Sequence, residues 1–198
     1  VAAFYTLWRS VYSNSGLDNV YRQLLRGNKD EGIPSLAWEG PQEAFGLDNL
    51  KAYLRQVLTE KKQIGSKSQW ISGAKSSLRY NRAKTVCRFT LFIVAQDTIP
   101  DKDRPGLMKT AKPSSTTRYW TPEMWRSRDL SSIEHIAPQS ISSYQEGWDG
   151  SIYEEDNYHW IGNLTLLPKE INASAGNRSW KAKWIYYKHL ATKDQEEL

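Results

Sequence analysis

The sequence predicts an α+β chain: a mainly helical region over residues 1–117, followed by a smaller strand–loop–strand–helix unit over residues 118–198. Three observations carry this. Apolar residues recur at helical spacing through most of the first hundred positions. A stretch with three prolines and many Ser, Thr and Lys, 98–117, interrupts the pattern. Beyond it come two segments that read as short strands, 130–137 and 161–167, separated by a long loop rich in acids and aromatics.

The elements follow in order. Phe4, Leu7, Trp8, Val11 and Tyr12 share one helical face, and the Asn14–Gly16 stretch ends that run. Leu17, Val20, Tyr21, Leu24 and Leu25 repeat the spacing, with Gly27 as a C-terminal cap. Residues 28–46 hold three glycines and two prolines and read as a loop. Asp48 is placed to cap a third helix running to about Lys62. Gly65 to Gly73 reads as a polar, Ser-rich connection. A fourth helix runs from Ala74 or Asn81 to Asp97, where the apolar run 86–95 is too long for an ordinary strand. Residues 98–117 read as a linker. After the strand at 130–137 and the loop 139–158, a strand at Ile161–Leu167 leads into a helix with Pro168 at its first position. A last helix, Ser179 to Leu190, carries Trp180, Trp184, Tyr187 and Leu190 on one face.

Composition narrows the function classes. The chain has 198 residues, 39% hydrophobic, with nine Trp and eleven Tyr. Its mean hydropathy of −0.68 belongs to a folded, water-facing chain rather than a membrane one. No apolar run approaches the roughly 20 residues of a membrane helix. The single cysteine, Cys87, excludes an internal disulfide and a thiolate zinc site, and reads as a buried small hydrophobe. The chain begins at Val1 with no signal-peptide pattern, as expected of a piece of a longer cytoplasmic protein.

The net charge of +5 is unevenly spread. Residues 1–50 carry a net −2, residues 51–130 a net +11 and residues 131–198 a net −4. A basic block beside a mildly acidic one suggests a polyanion gripped by one region and treated by another. Lys61, Lys62, Arg79 and Arg82 are the expected grip.

The chemistry concentrates in SIEHIAPQS at 132–140 and IGNLTLLPKEIN at 161–172, continued by ASAGNRSW to 180. Cutting a phosphodiester needs an activated water, charge neutralisation on the phosphorane and a stabilised leaving oxygen. A histidine suits the first task, typically contributing about 10²–10⁴-fold. A hard divalent cation with oxygen ligands suits the others. Glu134 and Asn172 both offer oxygen. Asn163 can fix a neighbouring backbone or the His135 ring through its amide. Adjacent strand residues face opposite ways, so Glu134 and His135 share a site only if the strand ends there. Ala137–Pro138 makes such an end.

These segments resemble the HNH (ββα-metal, His-Me finger) endonuclease motif. More narrowly, they resemble the C-terminal nuclease domain of the GmrSD-type, SspE-like modification-dependent restriction family. The carrying residues are Glu134-His135-x-x-Pro138, the run Gly162 to Leu167, Asn172 and Asn177. The resemblance implies a ββα-metal nuclease core with His135 as general base and Asn163 orienting it. Glu134 and Asn172 would be ligands of Mg²⁺, with Mn²⁺ as an alternative. It sets Lys183, in an aromatic-x-x-Lys pattern with Trp180, against a phosphate. Asn177 either caps the motif helix or touches the scissile phosphate, and Arg178 beside it is expected at the nucleic acid.

The same resemblance implies DNA as partner, bacterial antiviral defence as context, nicking as elementary product and a nucleotide-hydrolysing domain preceding this one. Two features depart from the compact pattern. The His135–Asn163 spacing is long, and zinc-bracing cysteine pairs are absent. His159 reads as a loop or packing residue, with contact to DNA or the metal site as the alternative, and His189 takes no role. Trp120, Trp125 and Trp148 read as packing, with stacking on an extruded base as the alternative. Two further alternatives are a non-catalytic nucleic-acid-binding module with a retained HNH fold and an RNA-directed nuclease.

Overall fold

The computed structural model describes residues 1–26, 47–101, 103–104, 108–111, 121–128, 131–140 and 147–196. They group into two units, Val1–Leu78 and Arg79–Leu198. Gly27, the expected loop 28–46 and Trp120 lie outside the described residues. The division falls at 78/79 rather than at 117/118, because the helix that follows packs against strands of the second unit.

In the first unit, α1 (Ala2–Val11) and α2 (Leu17–Arg26) turn their periodic faces inward. α3 (Leu47–Gln56) continues into a single π-turn, Val57–Lys61. Phe4, Trp8, Leu17, Leu24, Leu54 and Val57 are among the buried residues of the one core these helices share. Asp48 is not a cap. It lies within the first turn of α3, paired with Lys51 at 3.3 Å.

The expected connection 65–73 is largely helix: α4 spans Lys67–Ser77. Its start is a capping box, in which Ser66 Oγ accepts from the Gln69 N–H at 3.2 Å and Gln69 Oε1 accepts from the Ser66 N–H at 3.1 Å. Serines read as loop formers here because they suit the position before a helix as well as a turn. α4 lies close on α1. Trp70 Nε1 donates to Ser10 Oγ at 2.7 Å, and a Cβ at Gly73 would stand 2.4 Å from Val11 Cγ1. Ser66→Ala is expected to lower the unit's stability by about 1 kcal/mol, checked by urea unfolding.

In the second unit, α5 (Tyr80–Gln96) is the expected core helix, with a local break at Ala83. Cys87 is wholly buried in it, and burial pushes its thiol up to about 12. Part of the expected linker is ordered. β1 (Thr98–Pro100) pairs antiparallel with β2 (Met108–Thr110), Thr98 opposite Thr110. Buried Asp101 organises the connection by accepting from Arg104 Nε at 2.9 Å, with Lys109 Nζ at 3.7 Å. Proline content alone concealed this hairpin. α6 (Pro122–Arg126) is capped by Thr121. It seats Trp125 edge-on to Phe89 and Phe92, with the Arg88 guanidinium 3.9 Å from its ring centre, so Trp125 is a packing residue.

β3 (Ser132–His135) pairs antiparallel with β4 (Leu164–Leu167), setting His135 opposite Leu164. α7 (Lys169–Ala175) follows, with Pro168 just before its first turn, and packs on β3. Gly176, at φ +44°, turns the chain towards α8 (Trp180–Glu196). α8 corrects the expected apolar face. Trp180 and Trp184 are exposed at 41% and 51%, whereas Lys183 is fully buried. Among the described residues no helix is long and apolar enough to cross a membrane.

Candidate active site

His135 is the last residue of β3, and one more in-register bond follows it before the chain turns. The Ile136 N–H donates to the Asn163 carbonyl at 2.9 Å. Asn163 then clamps the next turn. Its Oδ1 accepts from the Ala137 N–H at 2.8 Å, and its Nδ2 donates to the carbonyls of Ala137 at 2.9 Å and Tyr158 at 2.8 Å. Of the two roles its amide could take, Asn163 has the backbone one. It braces the chain after His135 and does not meet the ring.

Two other side chains hold the His135 ring. Gln139 Nε2 lies 3.2 Å from Nδ1, and His159 Nδ1 lies 3.1 Å from Nε2. Tyr80, from the first turn of α5, packs edge-on against His135 at 4.6 Å and stacks on His159 at 5.7 Å. His135 is 5% exposed. Burial, and then the fields of His159, Lys183 and Lys84, pull its imidazole down to about 4. It is therefore neutral at pH 7.

Glu134 points its charge into a different contact. Its Oε1 accepts from Lys183 Nζ at 2.5 Å and stands 3.5 Å from the Tyr187 hydroxyl. Lys183 Nζ also donates to the His135 carbonyl at 2.6 Å. Both residues are buried, Lys183 completely. Burial pushes the Glu134 carboxyl up, and Lys183 works against that shift. Lys183 is thus no phosphate contact, because its ammonium is enclosed and neutralised inside the unit. Glu134 is its counter-ion through Oε1, and the same residue borders the cavity that holds His135 and Asn172.

Asn172, from α7, reaches back to β3, where Nδ2 donates to Ser132 Oγ and to the Ile133 carbonyl at 3.0 Å. Oδ1 is the atom this leaves for a ligand. His135, Glu134, Asn172, Gln139, Asn177, Lys84 and Lys169 are among the residues that line an open cavity of about 470 Å³. Asn177 donates to Ser140 Oγ at 3.0 Å at its rim. Arg178 is turned elsewhere, with Nε on the Ser174 carbonyl at 2.8 Å. Of the expected grip, Arg79 donates to the Glu155 carbonyl and Asn157 Oδ1 at 2.9 and 3.1 Å, and Lys62 lies over the rings of Trp8 and Tyr12.

Sequence reasoning missed Tyr80, Lys84, Gln139, His159 and Lys169. Lys84 sits in a basic helix face and Lys169 beside Pro168, and nothing local marks either as cavity-lining. Gln139 stands four residues after His135 in the quoted segment, and it is the one the sequence could have flagged.

A divalent cation finds a limited donor set. Among the described residues no group of three or more His, Cys, Asp or Glu is placed to hold a metal ion. The arrangement is no protein cage. The oxygen donors at the cavity are Asn172 Oδ1 and the carboxylate of Glu134, the kind of group Mg²⁺ commonly takes alongside waters and phosphates, with Glu134 Oε1 engaged by Lys183.

A comparison with family models matches residues 94–198 to GmrSD restriction endonucleases, C-terminal domain. The matched span covers β3, β4, α7 and α8, and with them His135, Asn163 and Asn172. No curated protein matches the chain.

Proposed function

The chain belongs to the family of GmrSD restriction endonucleases, C-terminal domain, and on that premise we propose that it is an HNH-type endonuclease hydrolysing DNA phosphodiesters with Mg²⁺ or Mn²⁺. The observation that carries the reading is the shared cavity. It sets a neutral imidazole beside an amide oxygen and two lysines, the groups that deprotonation of water and binding of a phosphate require.

The chain's own residues divide the work. His135 Nδ1 accepts from Gln139 in this structure and takes the proton of the attacking water in place of that contact. Lys84 and Lys169 attract the phosphate, and Asn172 fixes the cation's place against β3. When bound, the cation supplies Lewis-acid stabilisation of the phosphorane and the leaving oxygen. Asn163 keeps the turn after His135 in place, and the ammonium of Lys183 holds the His135 carbonyl. One base serves one scissile phosphate, so a nick is the elementary product. The biological setting we propose is cleavage of foreign DNA in bacteria, with this chain as the effector part of a larger restriction protein.

Substrate class is tested by offering DNA and RNA of one sequence under the same Mg²⁺. Cleavage of the DNA supports the reading, and cleavage of the RNA alone overturns the DNA assignment. The two cavity lysines give a second expected result. For double-stranded DNA, each phosphate contact adds about 0.9 to the slope of log affinity against log salt. Lys84→Ala with Lys169→Ala is expected to lower that slope by about 2, while Lys62→Ala, whose ammonium lies on Trp8 and Tyr12, is expected to change it little.

A further inference from the structure

The insertion between the two motif segments brings His159 against His135, and the Gln139 amide as oriented here sets which ring nitrogen bears the proton. The Gln139 amide nitrogen can only donate, so His135 Nδ1, 3.2 Å away, must accept. A neutral imidazole then carries its proton on Nε2, and the group 3.1 Å from Nε2 is His159 Nδ1, which must accept in turn. The chain of donors has one consistent direction, Gln139 to His135 to His159, and it leaves Nδ1 unprotonated, capped by the Gln139 amide.

We propose that His159 is a positioning residue that holds His135 in the tautomer with an unprotonated Nδ1, the nitrogen Gln139 caps in this structure and the one that takes the water's proton in place of that contact. This rests on the reading of His135 as the general base. The proton balance is simple. The water proton goes to Nδ1, the Nε2 proton stays in its bond, and that bond becomes charge-assisted and stronger.

The surroundings of His159 are built for such a role. It is 8% exposed, stacked on Tyr80 with the planes 16° apart. Burial lowers its pKa, which keeps it a neutral acceptor. Its turn passes through Glu155 and Asp156, at φ +48° and +57°, and is tied to Arg79 at the start of α5. Asn163 Nδ2 completes the bracket, donating at once to Ala137, just after His135, and to Tyr158, just before His159. The long His135–Asn163 spacing therefore delivers the second imidazole.

The test uses ¹⁵N-histidine NMR of the full chain together with single-turnover DNA cleavage. At neutral pH, His135 Nδ1 is expected to show the signal of an unprotonated nitrogen and Nε2 that of a protonated one. His159→Leu removes the acceptor and should mix the tautomers and lower kcat about 10- to 100-fold with KM unchanged. His159→Asn places an oxygen near the lost Nδ1 and should recover kcat to within a few-fold. A protonated Nδ1 in the unaltered protein overturns the proposal, as does equal loss in the Leu and Asn variants or no loss in the Leu variant. If the unaltered chain cleaves nothing while the NMR pattern appears, the general-base reading fails and the tautomer assignment stands.

Discussion

Lys183→Met is expected to destabilise the protein by about 3–5 kcal/mol in urea unfolding, a very large effect for one side chain 49 residues from its partner. The cause is the carboxylate left behind. Glu134 is 4% exposed, and without the ammonium its charge has no adequate counterpart. Glu134→Gln strands the opposite charge and should cost a similar amount. Removing both, as Glu134→Leu with Lys183→Met, should bring stability back towards the parent, since buried pairs often give little net gain over apolar residues of similar size.

The Lys183→Met defect also has a pH sign. Burial holds the Glu134 carboxyl above its usual value, and losing Lys183 raises it further. With a raised folded pKa the penalty is absent below the unfolded value, grows as pH rises above that value and levels off once pH passes the folded one. The gap from the parent should therefore narrow in acid. A variant within about 1 kcal/mol of the parent at pH 8 would show that the pair is not enclosed as described.

His135→Ala is expected to lower the cleavage rate about 10²–10⁴-fold, the usual worth of a positioned base, while leaving DNA affinity and its salt dependence nearly intact. The pH profile sharpens this. Since the imidazole sits near 4 rather than near 6.5, the free enzyme keeps its base unprotonated into acid. The acid limb of kcat/KM should lie well below 6.5. A bound phosphate near Lys84 opposes one of the fields that lower His135, so the acid limb of kcat should lie higher than that of kcat/KM. An acid limb of kcat/KM at or above 6.5 would contradict the burial and charge environment assigned to His135.

Local signals carried much of the architecture and part of the site. Helical spacing located α1, α2 and α5, and the two strand-like segments located β3 and β4. The quoted segments contain His135, Asn163 and Asn172, which the fold gathers around the end of β3. Other features depend on tertiary contact. Lys183 was not legible as the partner of Glu134 because it lies a whole helix away, and α8 read as burying its tryptophans because periodicity assigns Lys to the water side. The structure reverses that face, since a buried carboxylate needs a cation and Lys183 has the length to supply it. His159 looked ordinary because its significance is a single 3.1 Å contact across 24 residues. α4 was hidden by serines that serve caps and turns alike, and β1–β2 by prolines bordering a short hairpin.

The central claim is that His135, in its cavity with Asn172 and the two lysines, cuts DNA backbone with a divalent cation. Supercoiled plasmid incubated with the parent chain and with His135→Ala, across Mg²⁺ and Mn²⁺ concentrations and with chelator, tests it most directly. The account predicts nicked circles from the parent only when the cation is present, and almost none from His135→Ala, with both proteins folded and both binding the plasmid. Equal inertness of the two proteins at every cation concentration, or equal nicking by both, would contradict it.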